Sequence, residues 1–216
     1  MSEVRRPRVL LADDHLLVAE ALKSLLSPEF DLVEVVEDGR ALVEAAARLR
    51  PDVIVADITM PHLNGIDALV KLRRSGDTVP VVFLTMHRDV VFARRALDAG
   101  AAGFVLKHSA AVELTAALRA ALDGKTYITP QLAGEVLESM KGAPDAAVDP
   151  ASALTLRQRE VIQLLAEGLL AKEIAGNLGI SARTVEFHKY QAMEALDLHT
   201  NAELIHFAIK HGLVEL

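Results

Sequence analysis

Between Arg8 and Asp123 the chain alternates short aliphatic runs with segments of helical period, and few architectures accept that order. The runs are "RVLLA" (8 to 12), "LVEVV" (32 to 36), "VIVA" (53 to 56), "VVFLT" (81 to 85) and "GFVLK" (103 to 107). Helical patterns lie near 15 to 26, 39 to 49, 65 to 75, 89 to 99 and 110 to 123. Five β-α units in succession predict an α/β fold, a doubly wound five-stranded parallel sheet with helices on both faces.

Past residue 128 the pattern changes. Thr129 and Pro130 read as an N-cap and a first helical residue, with Leu132, Val136, Leu137 and Met140 as the apolar stripe of a connecting helix. "KGAPDAAVDPASA" (141 to 153) has no apolar period and reads as a linker. From 154 onward every pattern is helical. Thr155 and Gln158 form a capping-box signature, Gly168 closes that helix, and Lys172 to Leu178 makes a short one. Ser181 caps a longer helix, Thr184 to Leu196, and a last helix runs from about Thr200 to Lys210. The expected organisation is an α/β domain at 1–128, a linker helix and flexible linker at 129–153, and a second, all-α domain at 154–216.

Composition narrows what these domains can do. With 216 residues, 51% of them hydrophobic, the chain can bury a core in each half. It has no cysteine, which excludes disulfides and thiolate metal sites. No stretch approaches the length of a membrane span, so the expectation is a soluble cytoplasmic protein with no membrane partner. A net charge of -7 gives no global attraction to nucleic acid, and any such binding has to come from a local patch.

Polar residues at the carboxyl ends of parallel strands gather in one crevice. Here the strand ends carry Asp13 and Asp14 after the first, Asp57 after the third, Thr85 after the fourth and Lys107 after the fifth. Singly, each has an ordinary reading as a cap, a strand residue or a solvated charge. Jointly they pose a problem, because neighbouring carboxylates repel unless a divalent cation neutralises them. Mg²⁺ suits such a set, since it takes hard oxygen ligands and keeps waters or a phosphate oxygen. A hydroxyl and an ammonium opposite are what the remaining oxygens of a phosphoryl group need. Asp57 then reads as a nucleophile that accepts a phosphoryl group.

With "LADDH", "VIVADITMP", "FLTM" and "GFVLK" in order, residues 8 to about 128 resemble the flavodoxin-like receiver domain of bacterial two-component response regulators. The resemblance implies Asp57 as phosphoacceptor for a sensor histidine kinase. It makes Asp13, Asp14, Asp57 and the backbone carbonyl of Thr59 the Mg²⁺ ligands, and has Thr85 and Lys107 contact the phosphoryl group. Phe104 matches the aromatic switch that turns inward when Thr85 moves toward the phosphate, and Thr59 and His87 occupy positions thought to tune dephosphorylation. An enzyme alternative is a phosphatase of the haloacid-dehalogenase type, whose motif wants a second aspartate two residues after the nucleophile. The chain has Thr59 there, so no enzyme activity is expected.

"LTLRQREVIQLLAEGLLAKEIAGNLGISARTVEFHKYQAMEAL" resembles the LuxR-type helix-turn-helix of the NarL/FixJ class of response regulators. That implies double-stranded DNA as partner, a recognition helix from Thr184, and homodimers on phosphorylation. Candidate DNA contacts are Lys172, Ser181, Arg183, Thr184, Glu186, Phe187, Lys189 and Tyr190, with Val185, Ala192 and Leu196 facing the core. The charge departs from what a DNA surface wants. Six basic residues in 154–216 face eight acidic ones, and Gln191, Ala195 and His199 stand where relatives often carry a cation. Either pairing of two domains restores affinity through avidity, or the helix-turn-helix serves protein contacts. The retained Arg183, Thr184 and Lys189 favour the first.

Overall fold

The computed structural model describes residues 5–86, 88–141 and 150–214. Expectations that fall on His87, on 142–149 and on the side chain of Met140 lie outside the described residues. In the first half the elements are β1 (Arg8–Ala12), α1 (Leu16–Leu26), β2 (Asp31–Val36), α2 (Gly39–Leu49), β3 (Val53–Ala56), α3 (Gly65–Arg74), β4 (Val81–Thr85), α4 (Val90–Asp98), β5 (Gly103–Leu106), α5 (Ala110–Leu122), β6 (Tyr127–Ile128) and α6 (Pro130–Lys141). The second half contains α7 (Leu156–Ala166), α8 (Ala171–Leu178), α9 (Ala182–Ala195) and α10 (Asn201–Lys210).

The sheet order is β2-β1-β3-β4-β5-β6, with every neighbouring pair parallel. This corrects the expected five strands to six. β6 is a two-residue edge strand, too short to carry a period, and it is set by Tyr127 N–H donating to the Ala102 carbonyl and Thr129 N–H donating to that of Phe104. Alternate strand residues feed two cores. Leu10, Ala12, Ile54, Ala56, Phe83 and Phe104 pack on one face with the helices α2, α3, α4 and α6. Val9, Leu11, Val53, Val55, Val82, Leu84 and Val105 pack on the other with α1 and α5. Full burial of each such Val, Leu, Ile or Phe side chain stabilises by about 1.5–3 kcal/mol, which holds the strand ends in a fixed row.

The expected connecting segment divides. α6 buries Leu132 and Val136 in the core of the first half, while Ala151, in a 3-10 turn at Pro150–Ala153, joins the core of the second. Thr129 precedes α6 as expected, but its hydroxyl donates to Glu113 and accepts from the Leu106 amide, tying the sheet edge to α5. In the helical half the capping box of Thr155 and Gln158 forms, and Thr200 with Glu203 makes another. Gly179, at φ 64°, ends α8 in the left-handed region and turns the chain into α9, which Ser181 caps. No helix among the described residues is long and apolar enough to cross a membrane.

Candidate functional site

β1, β3, β4 and β5 are neighbours in the sheet, so the residues at their carboxyl ends share one edge. Asp13 and Asp57 are buried there, at 2% and 4% exposure, and Thr85 is fully buried, while Asp14 reaches solvent. β5 ends at Leu106, one residue earlier than expected, and Lys107 opens a 3-10 turn. Its ammonium lies 2.5 Å from Asp57 Oδ2 and 2.9 Å from Asp13 Oδ2. Gly65 allows the loop after β3 to fold back: a Cβ at that position would sit 2.1 Å from the Asp57 carbonyl oxygen, where no side chain fits. Phe104 lies wholly in the core beside Phe83, its ring turned inward.

Burial is the main influence on Asp57 and raises its carboxyl to about 6; the ammonium of Lys107 opposes this, and the nearby charge of Asp13 adds to it. Burial works against the charge on Lys107, but Asp57 and Asp13 outweigh it and its pKa rises. Asp13, Asp14, His15 and Asp57 each offer a ligand atom, all within 4.8 Å of one another. Three of those donors are carboxylate oxygens, a set suited to a hard divalent ion. His15, which sequence reasoning passed over, sits 2.9 Å from Asp14 Oδ1 and 3.3 Å from Asp13 Oδ1 through its Nδ1. The site has a buried carboxylate with an ammonium aimed at it. It can present an oxygen nucleophile to an electrophilic phosphorus and neutralise the charge that arrives.

In the helical half, α9 buries Val185 and Ala192 and half-buries Leu196, as its pattern predicts, with Met193 buried as well. Arg183, Phe187 and Tyr190 are exposed on the opposite side, and Lys172 is exposed on α8. Ser181 Oγ accepts from the Thr184 amide and lies 2.8 Å from the Thr184 hydroxyl, so both polar groups serve the helix start. Lys189 does not join this face. It is 9% exposed, 2.6 Å from Glu186 Oε2, with its ammonium over the Tyr190 ring. The three-residue spacing of 186 and 189 brings both onto one side of the helix, so the carboxylate holds the cation that sequence reading had placed toward DNA.

The seam between the halves was not anticipated. On α7, Gln163 Nε2 donates to the Met60 carbonyl, and its Oε1 accepts from the Asn64 amide at 2.9 Å and from Asn64 Nδ2. Arg159 Nε donates to Asp67 Oδ1 at 2.7 Å, Glu167 accepts from the His62 amide at 2.8 Å, and Glu160 pairs with Lys71. Further on, Arg95 donates to the His211 carbonyl and Arg40 to that of Asn177. Gln163 carried a faint signal: it is a polar residue at a fully buried position inside "VIQLL".

Residues 9–119 match the family of response regulator receiver domains, and residues 152–208 match the bacterial regulatory proteins of the luxR family. The response regulator UvrY of Escherichia coli K12 is 31% identical over 208 residues, covering 95% of this chain and 94% of that protein. The transcriptional regulatory protein MctR of Rhizobium johnstonii is 34% identical, covering 99% and 98%. Among solved structures, the RcsB response regulator of Salmonella typhimurium superposes with a TM-score of 0.65 at 28% identity, covering 96% of this chain and 99% of that one. An RcsB–DNA complex aligns at 0.57 and 29%, covering 94% and 98%. With both halves matched in order and relatives aligned over nearly their full length, the chain belongs to the two-component response regulators, a receiver domain joined to a LuxR-type DNA-binding domain for transcription regulation.

Proposed function

We propose that Asp57 is the phosphoacceptor of this regulator and that its phosphorylation by a sensor histidine kinase, acting in the cytoplasm, switches dimerisation and sequence-specific DNA binding. The observation that carries the reading is the buried Asp57 carboxylate, held against Lys107 with Asp13 and Asp14 alongside. In this reading the receiver spans 1–128, the linker helix and linker span 129–153, and the output domain spans 154–216.

Asp13, Asp14, Asp57 and the backbone carbonyl of Thr59 would hold Mg²⁺, which when bound supplies positive charge to the phosphoryl oxygens. The chain's own residues do the rest. An oxygen of the Asp57 carboxylate attacks phosphorus in line with the leaving group. Lys107, already at 2.5 Å from that carboxylate, follows the phosphoryl group as its counter-charge. Thr85, at the end of the adjacent strand, donates its hydroxyl to a second oxygen, and Phe104 is the aromatic partner that this movement affects. The phosphorylated receiver favours a state that pairs output domains, and pairing supplies the affinity that one weakly cationic domain lacks. Arg183, Thr184, Phe187 and Tyr190 on α9, with Lys172 and Ser181 before it, then meet the duplex. The RcsB–DNA complex supports DNA as the partner class.

A second reading, that the helix-turn-helix acts mainly through protein contacts, draws on one observation. Glu186 neutralises Lys189 and leaves an exposed Phe187 and Tyr190 on a face with few cations. Incubation with acetyl phosphate and Mg²⁺ followed by intact-mass measurement tests the phosphoacceptor. One added phosphoryl group on the wild type and none on Asp57→Ala is expected, and equal labelling of both overturns the assignment.

A further inference from the structure

Beside the acidic cluster lies a cavity of about 340 Å³, and its walls come from both domains. Asp14, His15, Thr59 and Met60 line the receiver side, and Glu167 and Val214 line the output side. Glu167 is fixed there. Its Oε1 accepts from the His62 amide at 2.8 Å and from Gln163 Nε2 at 2.9 Å, and its side chain is only 17% exposed. Gln163 in turn grips the Met60 carbonyl and the Asn64 amide, so the seam holds both the carboxylate and the receiver loop that it faces.

We infer that Glu167 of the output domain determines specificity in the receiver's reaction: the docked output domain walls the cavity beside the acidic cluster with a negative charge that slows approach of anionic phospho-donors and favours the cation. This deepens the phosphoacceptor reading above and rests on it. A phospho-donor reaches the site as a dianion, and a fixed carboxylate in the cavity that Asp14 and Thr59 also line repels it. The same carboxylate attracts a divalent ion. Electrostatics therefore demands effects of opposite sign on donor and metal, whereas a merely loosened receiver loop impairs both.

The test uses the full chain and acetyl phosphate. The Asp57 carboxylate oxygen attacks phosphorus, the phosphorus–oxygen bond to the acetyl group breaks, and acetate leaves with the electron pair. Labelling rates are measured by intact mass at saturating Mg²⁺ in low and high salt for the wild type and Glu167→Gln, which keeps the shape of the side chain and its acceptor oxygen. Mg²⁺ affinity is measured separately by titration. Glu167→Gln should label about threefold to tenfold faster at low salt, with the gain fading at high salt, and should bind Mg²⁺ about threefold more weakly. Equal rates and equal Mg²⁺ affinities overturn the proposal while leaving Asp57 as phosphoacceptor. Parallel losses in rate and affinity reduce Glu167 to a structural contact and overturn it too. No labelling of any form, wild type included, overturns the phosphoacceptor reading and this inference with it.

Discussion

Arg159→Ala should separate the two domains without unfolding either. Asp67, whose side chain is 1% exposed, keeps Asn64 Nδ2 as a donor at 2.9 Å but loses the guanidinium at 2.7 Å. Removing one partner of a buried ion pair costs about 3–5 kcal/mol. Asp67 lies in the first turn of α3, where the helix amides favour a carboxylate, so the lower end of that range applies. Because the domains can part and let water reach Asp67, the cost of stranding that charge falls on docking, while the lost Arg159 Nη1 bond to the Leu154 carbonyl at 2.7 Å falls on the start of the output domain. About 3 kcal/mol is roughly a hundredfold shift in the docking equilibrium. The readout is amide exchange at His62 and Asn64, whose N–H groups donate across the seam to Glu167 and Gln163. Both should exchange about a hundredfold faster, and small-angle scattering should show a larger radius of gyration. Adding Asp67→Asn should recover at least about 1 kcal/mol, since the stranded charge is then gone. Unchanged protection at both amides in a folded Arg159→Ala protein refutes the reasoning, as does a double variant no better docked than the single.

Three further outcomes are expected. The Asp57 carboxyl, raised from 3.8 to about 6 by burial, binds a proton more readily folded than unfolded, so metal-free stability should rise as pH falls from above 6 to below 4. That gap corresponds to about 3 kcal/mol, and Asp57→Asn should erase this part of the pH dependence in urea unfolding with chelator present. Glu186→Lys frees Lys189 and adds a cation, so it should strengthen binding to random duplexes more than to a specific site and steepen the log-log salt slope by about one per added phosphate contact. Light scattering should find the protein largely monomeric alone and dimeric with Mg²⁺ and beryllofluoride; an unchanged mass counts against switched pairing.

The strand ends were legible because a doubly buried parallel strand leaves a nearly pure aliphatic signature, which Asp13 and Asp57 follow directly and Thr85 ends. β6 was not, since two residues held only by the Tyr127 and Thr129 amides donating to carbonyls of the sheet edge carry no period. The capping signatures at Thr155 and Ser181 were readable because they are local hydrogen bonds between near neighbours. The seam was opaque for the opposite reason: Gln163 and Asn64 are 99 residues apart, and nothing in either neighbourhood names its partner. Lys189 was readable as a buried position, since it lies four residues after Val185 and three before Ala192 on the core stripe of α9, where Glu186 pairs with it.

The central claim, that phosphorylation at Asp57 switches DNA binding, is tested most directly by duplex selection and titration with the full chain. Random duplexes are selected with and without acetyl phosphate and Mg²⁺, and the enriched sequence is then titrated at fixed salt against wild type and Asp57→Ala. The account predicts that only the phosphorylated wild type enriches a two-fold symmetric site, and binds it at least about tenfold more tightly than the unmodified chain or the variant, as two linked domains should. Equal affinity of all forms for the same sequence, or enrichment of no sequence by the phosphorylated protein, contradicts it.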